Sequence, residues 1–590
     1  MEAAPVRRRV WRASLGSERW TWLILALGMV GSVAAILAWN RSFTFYADEL
    51  TWLQTAADFS LNGAFYPASS NLQFGNYLIW KGLIELFGAE YVAWRITLVA
   101  LVQVTGLLFF LLVRRRIGSA AALAPTLILI YLGSAGDAIA IPLGILPLAT
   151  ISCGLGALLL LEPRDSQRRG GVGRDIAACV LLICAVGTFS VGLAFLAGAA
   201  VWVLLRDDRW RRIWIPAIPL VLYAIWWIWS RDKVGPYGPE LSNVPYIPFY
   251  FADALLSVGG AFANATVHLF GFNADPASHI SQHYSGIRLF VSLLMLAGLI
   301  AVIFAATRYV LRRGRPDPSL LVSVTILVAY WTSAALVVHC PARCPGHSRY
   351  LLPGAVLVLL VVTDALRGAR PGRGALAALY GLAAVSIFAN LGAFPESRPY
   401  FLDYSQRARA VMAAMELGRA DIDSDFNPGV HAPEAAPPNF YVGTEGYLMI
   451  ADGYGSLATP LSKLPEQTEI AREGADVVLA KGFGLKARRV RPPPSLAGCE
   501  SRGPRLGKPL LIFLPRGGAI LGITGSDSTV GLKRFADIAP FSLGKLSAGG
   551  FYEVRIPPDR DPIVWQALVN SGERTLLCPL DQSAKAPRKP

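Results

Sequence analysis

Long apolar runs separated by short polar stretches dominate the first two thirds of the chain. A helix needs about 20 predominantly apolar residues to cross a bilayer, so each long run predicts a transmembrane helix. The runs predict eleven spans, at 21–39, 91–113, 119–133, 139–161, 175–188, 191–205, 213–230, 286–307, 319–338, 350–366 and 374–392. The pattern therefore indicates an all-α polytopic membrane bundle.

The stretch 175–205 is the one whose division hydropathy leaves open, since it suits two short spans or one long tilted helix. With two spans, all arginine clusters face one side of the membrane, which the positive-inside rule makes the cytoplasm. The clusters are Arg7, Arg8, Arg9 and Arg12; Arg114, Arg115 and Arg116; Arg164, Arg168, Arg169 and Arg174; Arg206, Arg209, Arg211 and Arg212; Arg308, Arg312, Arg313 and Arg315; and Arg367, Arg370 and Arg373. We therefore expect a multi-pass protein of the cytoplasmic membrane, with its N-terminus inside and its tail outside.

The composition supports a membrane protein and indicates which partners its charge would suit. The chain has 590 residues, of which 54% are hydrophobic and 16% charged, with a net charge of +15. Most of that charge comes from the arginine clusters, so it indicates contact with anionic lipid headgroups. No nucleic-acid motif occurs, and no nucleic-acid partner is expected. The first span resembles a signal peptide but has no small-residue cleavage site at 36–40, which predicts a retained signal anchor.

The chain changes character after about residue 392, where charge, Pro and Gly increase and no further span occurs. We predict a cytoplasmic N-terminus (1–20), a transmembrane domain (21–392) with external loops 40–90 and 231–285, and an external soluble domain (393–590). This last domain is predicted to be mixed α and β, mainly β in its second half. Its expected elements are a helix at 404–419 and strands at 439–442, 476–480, 509–514, 519–523 and 551–556.

Two adjacent acids, Asp48 and Glu49, follow the first span by a few residues. The predicted topology places them at the outer membrane surface, where a carboxylate can act as the base for a hydroxyl brought to the interface. The alternative is that they only cap a following helix with favourable charge. Asp137, between the third and fourth spans, is more simply a turn-forming residue, and the alternative is that it approaches the site.

A second group of chemical interest is the run Ser348-Arg349-Tyr350 at the external edge of the tenth span. A guanidinium can bind phosphate in a bidentate manner, and Arg343 in the same loop is placed to share this role. Arg349 and Tyr350 could instead mark the membrane edge by snorkelling. Arg95 in the second span has the same alternatives, outward snorkelling or pairing with an acid or a phosphate.

Two external loops carry aromatic residues that suit a substrate cover. The segment 74–87 is mostly apolar and too short to span, which predicts an interfacial helix with Tyr77, Trp80 and Lys81 as candidates for substrate contact. Pro and Tyr spacing in 231–285 predicts an irregular lid, with Tyr237 and Tyr246 as candidates, although a structural loop fits equally well.

Metal ligands and disulfides have weaker signals. His279 and His283 are four residues apart and form a low-probability metal site. The external cysteines, Cys340 with Cys344 and Cys499 with Cys578, could form disulfides in an oxidising compartment. A zinc site completed by neighbouring histidines is the weaker alternative for Cys340 and Cys344.

The order of these features over roughly 20–392 resembles the GT-C glycosyltransferases, in particular the branch that contains protein O-mannosyltransferases, aminoarabinose transferases and arabinosyltransferases. The resemblance rests on the acidic pair Asp48-Glu49, the interfacial helix, the long loop after the seventh span, the run Ser348-Arg349-Tyr350 and the external tail. It implies transfer of a sugar from a polyprenyl-phosphate carrier to a hydroxyl of a cell-envelope glycan, lipid or protein.

The same resemblance implies roles for the candidates. Asp48 would be the base of an inverting displacement, with Glu49 orienting the acceptor or tuning Asp48. Arg349, with Arg343 or Arg95 and Tyr350, would hold the carrier phosphate as it leaves. The resemblance implies no certain cofactor, with the polyprenyl-phosphate sugar as donor substrate and a divalent metal as an optional addition. The alternative function is a transporter or flippase of a lipid-linked sugar, which would need the phosphate site but no base.

Overall fold

The computed structural model describes residues 4–580 apart from 69, 163–170, 234–237, 265–303, 305–306, 309–310, 313–316, 339–342, 370, 505–508, 560 and 571–572. The chain divides into two compact units. The first comprises Met1–Arg41, Phe59–Leu83 and Tyr91–Tyr400, and the second Ser42–Asp58, Ile84–Glu90 and Phe401–Pro590. Two short segments of the external loop predicted at 40–90 therefore belong to the same unit as the tail.

Helices account for most of the chain as far as residue 417. In chain order they are α1 (Ala4–Trp39), α2 (Asp48–Ala57), α3 (Leu61–Phe65), α4 (Phe74–Phe87), α5 (Tyr91–Ile117), α6 (Ser119–Ile130), α7 (Gly136–Ile139), α8 (Ile145–Leu161), α9 (Val172–Thr188), α10 (Val191–Leu204), α11 (Arg209–Arg212), α12 (Trp214–Ser230), α13 (Ile247–Ala261), α14 (Pro318–Leu336), α15 (Ser348–Ala365), α16 (Arg373–Leu391) and α17 (Ala393–Leu417).

Within the described residues, six helical segments are long and apolar enough to cross a membrane, and α6 with α7 adds a seventh if this bent pair counts as one span. The six are Glu18–Trp39, Tyr91–Ile117, Pro142–Leu161, Pro318–Leu336, Ser348–Ala365 and Arg373–Leu417. Helices of this length and apolarity make the chain an integral membrane protein.

The count of eleven spans is not confirmed. The predicted span 286–307 lies outside the described residues, apart from isolated positions. The runs 175–188, 191–205 and 213–230 do form helices, namely α9, α10 and α12, but these have 17, 14 and 17 residues. The chain breaks between α9 and α10 at Phe189 and Ser190, so 175–205 forms two helices rather than one.

A tight polar contact fixes the bend between α6 and α7, where the axes turn by 43°. Ser134 lies in the bend, and its backbone N–H donates to Asn390 Oδ1 over 2.9 Å, while Asn390 Nδ2 donates to the Ala261 carbonyl over 3.0 Å. A Cβ at Gly133 would lie 2.1 Å from the Asn390 carbonyl oxygen, so this close approach requires glycine. The bend, the end of α13 and the end of α16 are thereby joined.

The second unit adds three helices and two antiparallel sheets. The helices are α18 (Pro428–His431), α19 (Thr444–Tyr454) and α20 (Glu469–Gly482). The strands are β1 (Ala487–Val490), β2 (Glu500–Arg502), β3 (Leu510–Phe513), β4 (Gly518–Ile523), β5 (Ser528–Lys533), β6 (Phe541–Leu546), β7 (Phe551–Arg555), β8 (Gln566–Asn570) and β9 (Thr575–Pro579). They form a five-stranded sheet in the order β1-β7-β4-β9-β2 and a four-stranded sheet in the order β3-β8-β5-β6.

Three of the predicted strands, at 509–514, 519–523 and 551–556, coincide with β3, β4 and β7, whereas two predictions are wrong. Residues 476–480 lie in α20, where Ala471, Ala475, Val478 and Leu479 are buried along one helical face. The apolar run resembled a strand only because the flanking apolar positions at helical spacing were not included. Residues 439–442 form no strand; Asn439 has a positive φ of 60°, which suits a turn.

Candidate functional site

The acidic pair lies at the first turn of α2, where its two members differ in environment. Glu49 is fully buried, and its Oε2 accepts a hydrogen bond from the Tyr46 backbone N–H over 2.9 Å. This contact is of the kind that a capping box uses to close the start of a helix. Asp48 is half-buried at the first helical position. Glu49 therefore shapes the chain, whereas Asp48 is the member that a substrate could reach.

The second candidate cluster lies at the start of α15. His347 caps this helix, and Ser348 Oγ donates to Asp137 Oδ2 over 2.6 Å. Arg349 is half-buried, with its guanidinium carbon 5.9 Å from the centre of the Tyr350 ring, within the range of a cation–π contact. Arg343, also half-buried, precedes this turn in the same unit.

Asp137 belongs to this cluster, which the turn-former interpretation did not anticipate. It lies in α7, the short helix after the bend, and it contacts a residue 211 positions later in the chain. A charge-assisted hydrogen bond of this length is among the stronger polar contacts in proteins. The bend between α6 and α7 thus brings a carboxylate to the start of α15.

Buried polar groups of α13 and α14 extend the cluster. Tyr330 Oη donates to the Tyr350 carbonyl over 3.3 Å, and Tyr250 interacts electrostatically with Asp253, Tyr330 and Tyr350. Burial raises the pKa of the Tyr250 phenol well above its usual range, so this group remains neutral. Sequence reasoning missed Asp253, although a fully buried acid inside the apolar helix α13 was a usable signal.

Arg95 hydrogen-bonds to the end of α1 and to the residue that follows it. Its Nε donates to Asn40 Oδ1 and its Nη2 to the Leu37 carbonyl, each over 2.7 Å. These contacts satisfy a carbonyl at the last turn of α1, which a helix leaves without an internal partner. The guanidinium therefore joins α5 to the end of α1.

The proposed substrate-contact residues of α4 are largely core residues. Trp80 is fully buried and its ring lies 5.5 Å from that of Trp94, while Tyr77 is 5% exposed. The helix itself was predicted correctly at 74–87, but its aromatic face packs inside the protein. Lys81 is half-buried, and Tyr246 is exposed. Tyr237, His279 and His283 lie outside the described residues.

Three of the predicted disulfide cysteines are disulfide-bonded in the described part of the structure. The structure forms a disulfide between Cys499 and Cys578, which ties the edge strand β2 to β9. Cys344 is also disulfide-bonded, and its predicted partner Cys340 lies outside the described residues. Among the described residues, no group of three or more His, Cys, Asp or Glu side chains could hold a metal ion.

No protein-family model and no curated protein matches the chain. Among solved structures, two crystal structures of ArnT from Cupriavidus metallidurans are similar, one bound to undecaprenyl phosphate and one in the apo state. Each is 14% identical with a TM-score of 0.41; the first covers 69% of this chain and 81% of that chain, the second 70% and 82%. A likeness this weak does not place the chain in a family.

Proposed function

We propose that the chain is a membrane glycosyltransferase that moves a sugar from a polyprenyl-phosphate donor to a hydroxyl of a cell-envelope glycan, lipid or protein. The observation that carries the proposal is the set of groups at the start of α15. Ser348, Arg349 and Tyr350 open a helix that is long enough to span, and Arg343 lies just before them. A phosphate attached to a lipid tail needs such cationic groups at a membrane edge.

The donor phosphate would bind to Arg349 and Arg343. Guanidinium groups form bidentate bonds to phosphate oxygens, and the positive end of the α15 dipole adds to the attraction. Because the leaving group is already an anion, holding its charge matters more than protonating it. The Tyr350 ring lies within cation–π range of the Arg349 guanidinium.

The acceptor would be activated by Asp48. This residue follows the span Glu18–Trp39 by nine positions, so it belongs near a membrane edge, as the start of α15 does. In the proposed reaction its carboxylate takes the proton of the acceptor hydroxyl, whose oxygen forms a bond to the anomeric carbon. The bond from that carbon to the phosphate oxygen breaks with inversion, and polyprenyl phosphate leaves with the electron pair.

The arginine clusters and the disulfide support the proposed location. The positive-inside rule assigns the arginine-rich loops to the cytoplasm, which puts Asp48 and Arg349 outside. The disulfide between Cys499 and Cys578 suits an oxidising compartment. The proposed enzyme therefore acts at the external face of the cytoplasmic membrane, with its second unit outside.

Mass spectrometry of lipid-linked sugars tests the proposal in cells carrying wild type, Asp48→Asn or no protein, with membrane levels checked by immunoblot. We expect the same polyprenyl-phosphate sugar to accumulate with Asp48→Asn as in the deletion. Asp58→Asn, at the exposed far end of α2, is the matched control and should behave like wild type. If Asp48→Asn also behaves like wild type while the deletion accumulates a lipid-linked sugar, the base is refuted and a transporter function is favoured.

A further inference from the structure

The segment that leads into Asp48 is fastened to one face of α17. Thr44 N–H donates to Ser405 Oγ over 3.1 Å, Ala47 N–H to Tyr404 Oη over 3.0 Å, and Arg409 Nη2 to the Phe43 carbonyl over 2.8 Å. Residues 405 and 409 are one turn apart and so are neighbours on the helix surface, and residue 404 precedes them directly in the chain. Residues 43–47 therefore lie along the second half of α17 and are hydrogen-bonded to it.

Aromatic packing supports the same arrangement. The Tyr46 ring lies 4.7 Å from the Tyr404 ring and 5.3 Å from the Phe401 ring, centre to centre. Phe43 lies 5.6 Å from Phe401. Tyr404 is 1% exposed, so its hydroxyl is a buried polar group whose bond to the backbone is worth more than a surface contact.

The residue directly before Asp48 has an unusual backbone. Ala47 has φ 47° and ψ −117°, in the left-handed half of conformational space that favours glycine. A residue with a side chain stays there only when surrounding contacts hold it. Two hydrogen bonds hold the backbone at this position: the Ala47 N–H donates to Tyr404 Oη, and the Tyr46 N–H donates to Glu49 Oε2.

We infer that Tyr404 is a positioning residue for Asp48: its hydroxyl holds the peptide before Ala47 so that α2 begins at Asp48 with the carboxylate fixed relative to the segment 43–47. Glu49 provides the second restraint from within α2. The inference rests on the proposed function insofar as it assigns Asp48 as the base. It gives the second unit a part in the reaction, because its helix α17 sets the geometry of the acidic residue.

A purely structural role for Tyr404 would lie in its ring, which Phe would preserve. The matched control is Tyr447→Phe, since Tyr447 is fully buried in the same unit and its hydroxyl donates to Glu416 Oε1 over 2.5 Å instead of to residues 43–47. Both variants lose one buried hydroxyl. Only Tyr404→Phe releases the Ala47 N–H.

Two measurements on the full chain test the inference. Hydrogen exchange followed by mass spectrometry, on protein reconstituted in lipid nanodiscs, reports the restraint directly. We expect faster exchange in peptides covering 43–49 for Tyr404→Phe and no change there for Tyr447→Phe. Equal exchange in these peptides for wild type and Tyr404→Phe would overturn the inference, whatever the chain catalyses.

The second measurement is the accumulation of lipid-linked sugar in cells. Loss of one buried hydrogen bond that acts on the base should lower transfer about tenfold in Tyr404→Phe. Ala47→Gly in the same chain should restore most of the transfer, since glycine adopts this φ without strain. Failure of the proposed function appears separately, as a wild-type phenotype for Asp48→Asn. A normal transfer rate in Tyr404→Phe, with Asp48→Asn inactive, refutes the positioning role alone.

Discussion

The two ends of α15 carry polar clusters whose arginine side chains differ in exposure. Near Ala365, Asp364 Oδ2 accepts from Arg116 Nη1 over 2.7 Å, and Arg116 Nη2 reaches Glu162 Oε1 over 3.0 Å. The Arg116 and Asp364 side chains are at most 1% exposed, and Ser323 also donates to Asp364. Three helices, α5, α8 and α15, are thus joined by one buried cation between two acids.

At the Ser348 end the arrangement is more open. Arg349 and Tyr350 are half-buried, and Ser348 Oγ donates a hydrogen bond to Asp137 Oδ2. An 18-residue helix is about 27 Å long, so the two clusters lie near opposite membrane edges. The two ends therefore differ in exposure, since the Arg116 side chain is buried whereas Arg349 is half-buried.

The largest effect on stability is expected at the Ala365 end of α15, where Arg116, Glu162 and Asp364 are buried. Arg116→Met leaves two buried carboxylates without their cation, which should lower the free energy of unfolding by about 3–5 kcal/mol. Thermal melting in detergent and the amount of folded protein in membranes measure the effect. Arg114→Met is the control from the same cluster, since Arg114 is half-buried and contacts the Trp22 ring instead. Equal melting temperatures for the two variants would contradict the interpretation that the buried Arg116 holds α5, α8 and α15 together.

At the Ser348 end of α15, a substitution should affect the proposed sugar transfer rather than folding. Arg349→Lys keeps the charge but loses the bidentate geometry, so we expect transfer to fall by about 10- to 100-fold. The melting temperature should change much less than with Arg116→Met. Levels of lipid-linked sugar, normalised to membrane protein, provide the measurement. Wild-type levels in this variant would remove Arg349 from the phosphate site.

A smaller effect is expected from Ser348→Ala, which removes the hydrogen bond to Asp137. The loss should be about 1 kcal/mol in stability, with a moderate decrease in transfer because α7 is no longer tied to the start of α15. Ser333→Ala is the control, since its hydroxyl donates over 2.8 Å to the Tyr330 carbonyl in the same helix. If both variants melt and transfer alike, the link between α7 and α15 has no special role.

A pH-dependent effect is expected at a buried acid of the second unit that belongs to neither end of α15. Asp476 accepts hydrogen bonds from the backbone N–H groups of residues 534, 535 and 536, and burial raises its pKa to about 6. Between about pH 4 and pH 6 the folded unit keeps a proton that the unfolded chain releases. The free energy of unfolding should therefore fall as the pH rises through this window.

Melting curves between pH 4 and pH 7 for wild type and Asp476→Asn test this pH dependence. The variant should melt at a lower temperature, because it loses an acceptor, but with a weaker pH dependence over this range. Parallel curves for the two proteins would show that Asp476 does not titrate in the window. This comparison tests whether a buried acid outside the membrane contributes to the free energy of unfolding, as the buried acids at the Ala365 end of α15 are expected to do.

Several elements were predictable from local sequence. The helix at 74–87 and the break between α9 and α10 follow from apolar length and charge placement, which act over a few turns. β3, β4 and β7 follow from short apolar runs between turn residues. The more exposed strands β1 and β2 were not predictable, because Ala487–Val490 and Glu500–Arg502 have no apolar pattern. They form only by pairing with β7 and β9.

The candidate site shows the same division. The acidic pair and the arginines could be named from their positions at the ends of apolar runs, since charge beside a membrane edge is visible in sequence. The contacts that give them roles could not be named, because Asp137 meets Ser348 across 211 residues and Ala47 meets Tyr404 across 357. Burial of Glu49 and Trp80 was also invisible in the local pattern.

The sequence by itself determined that this chain is an integral membrane protein with a β-rich tail and which polar residues stand at the ends of its apolar helices. Hydrophobic length and charge are local properties, so no partner is needed to read them. Only the tertiary structure decided that Glu49 is buried and accepts from the Tyr46 N–H, that Arg95 joins α5 to the end of α1, and that α17 holds the segment before Asp48. These roles depend on hydrogen bonds between distant residues, which form only once the packed helices bring their partners within about 3 Å.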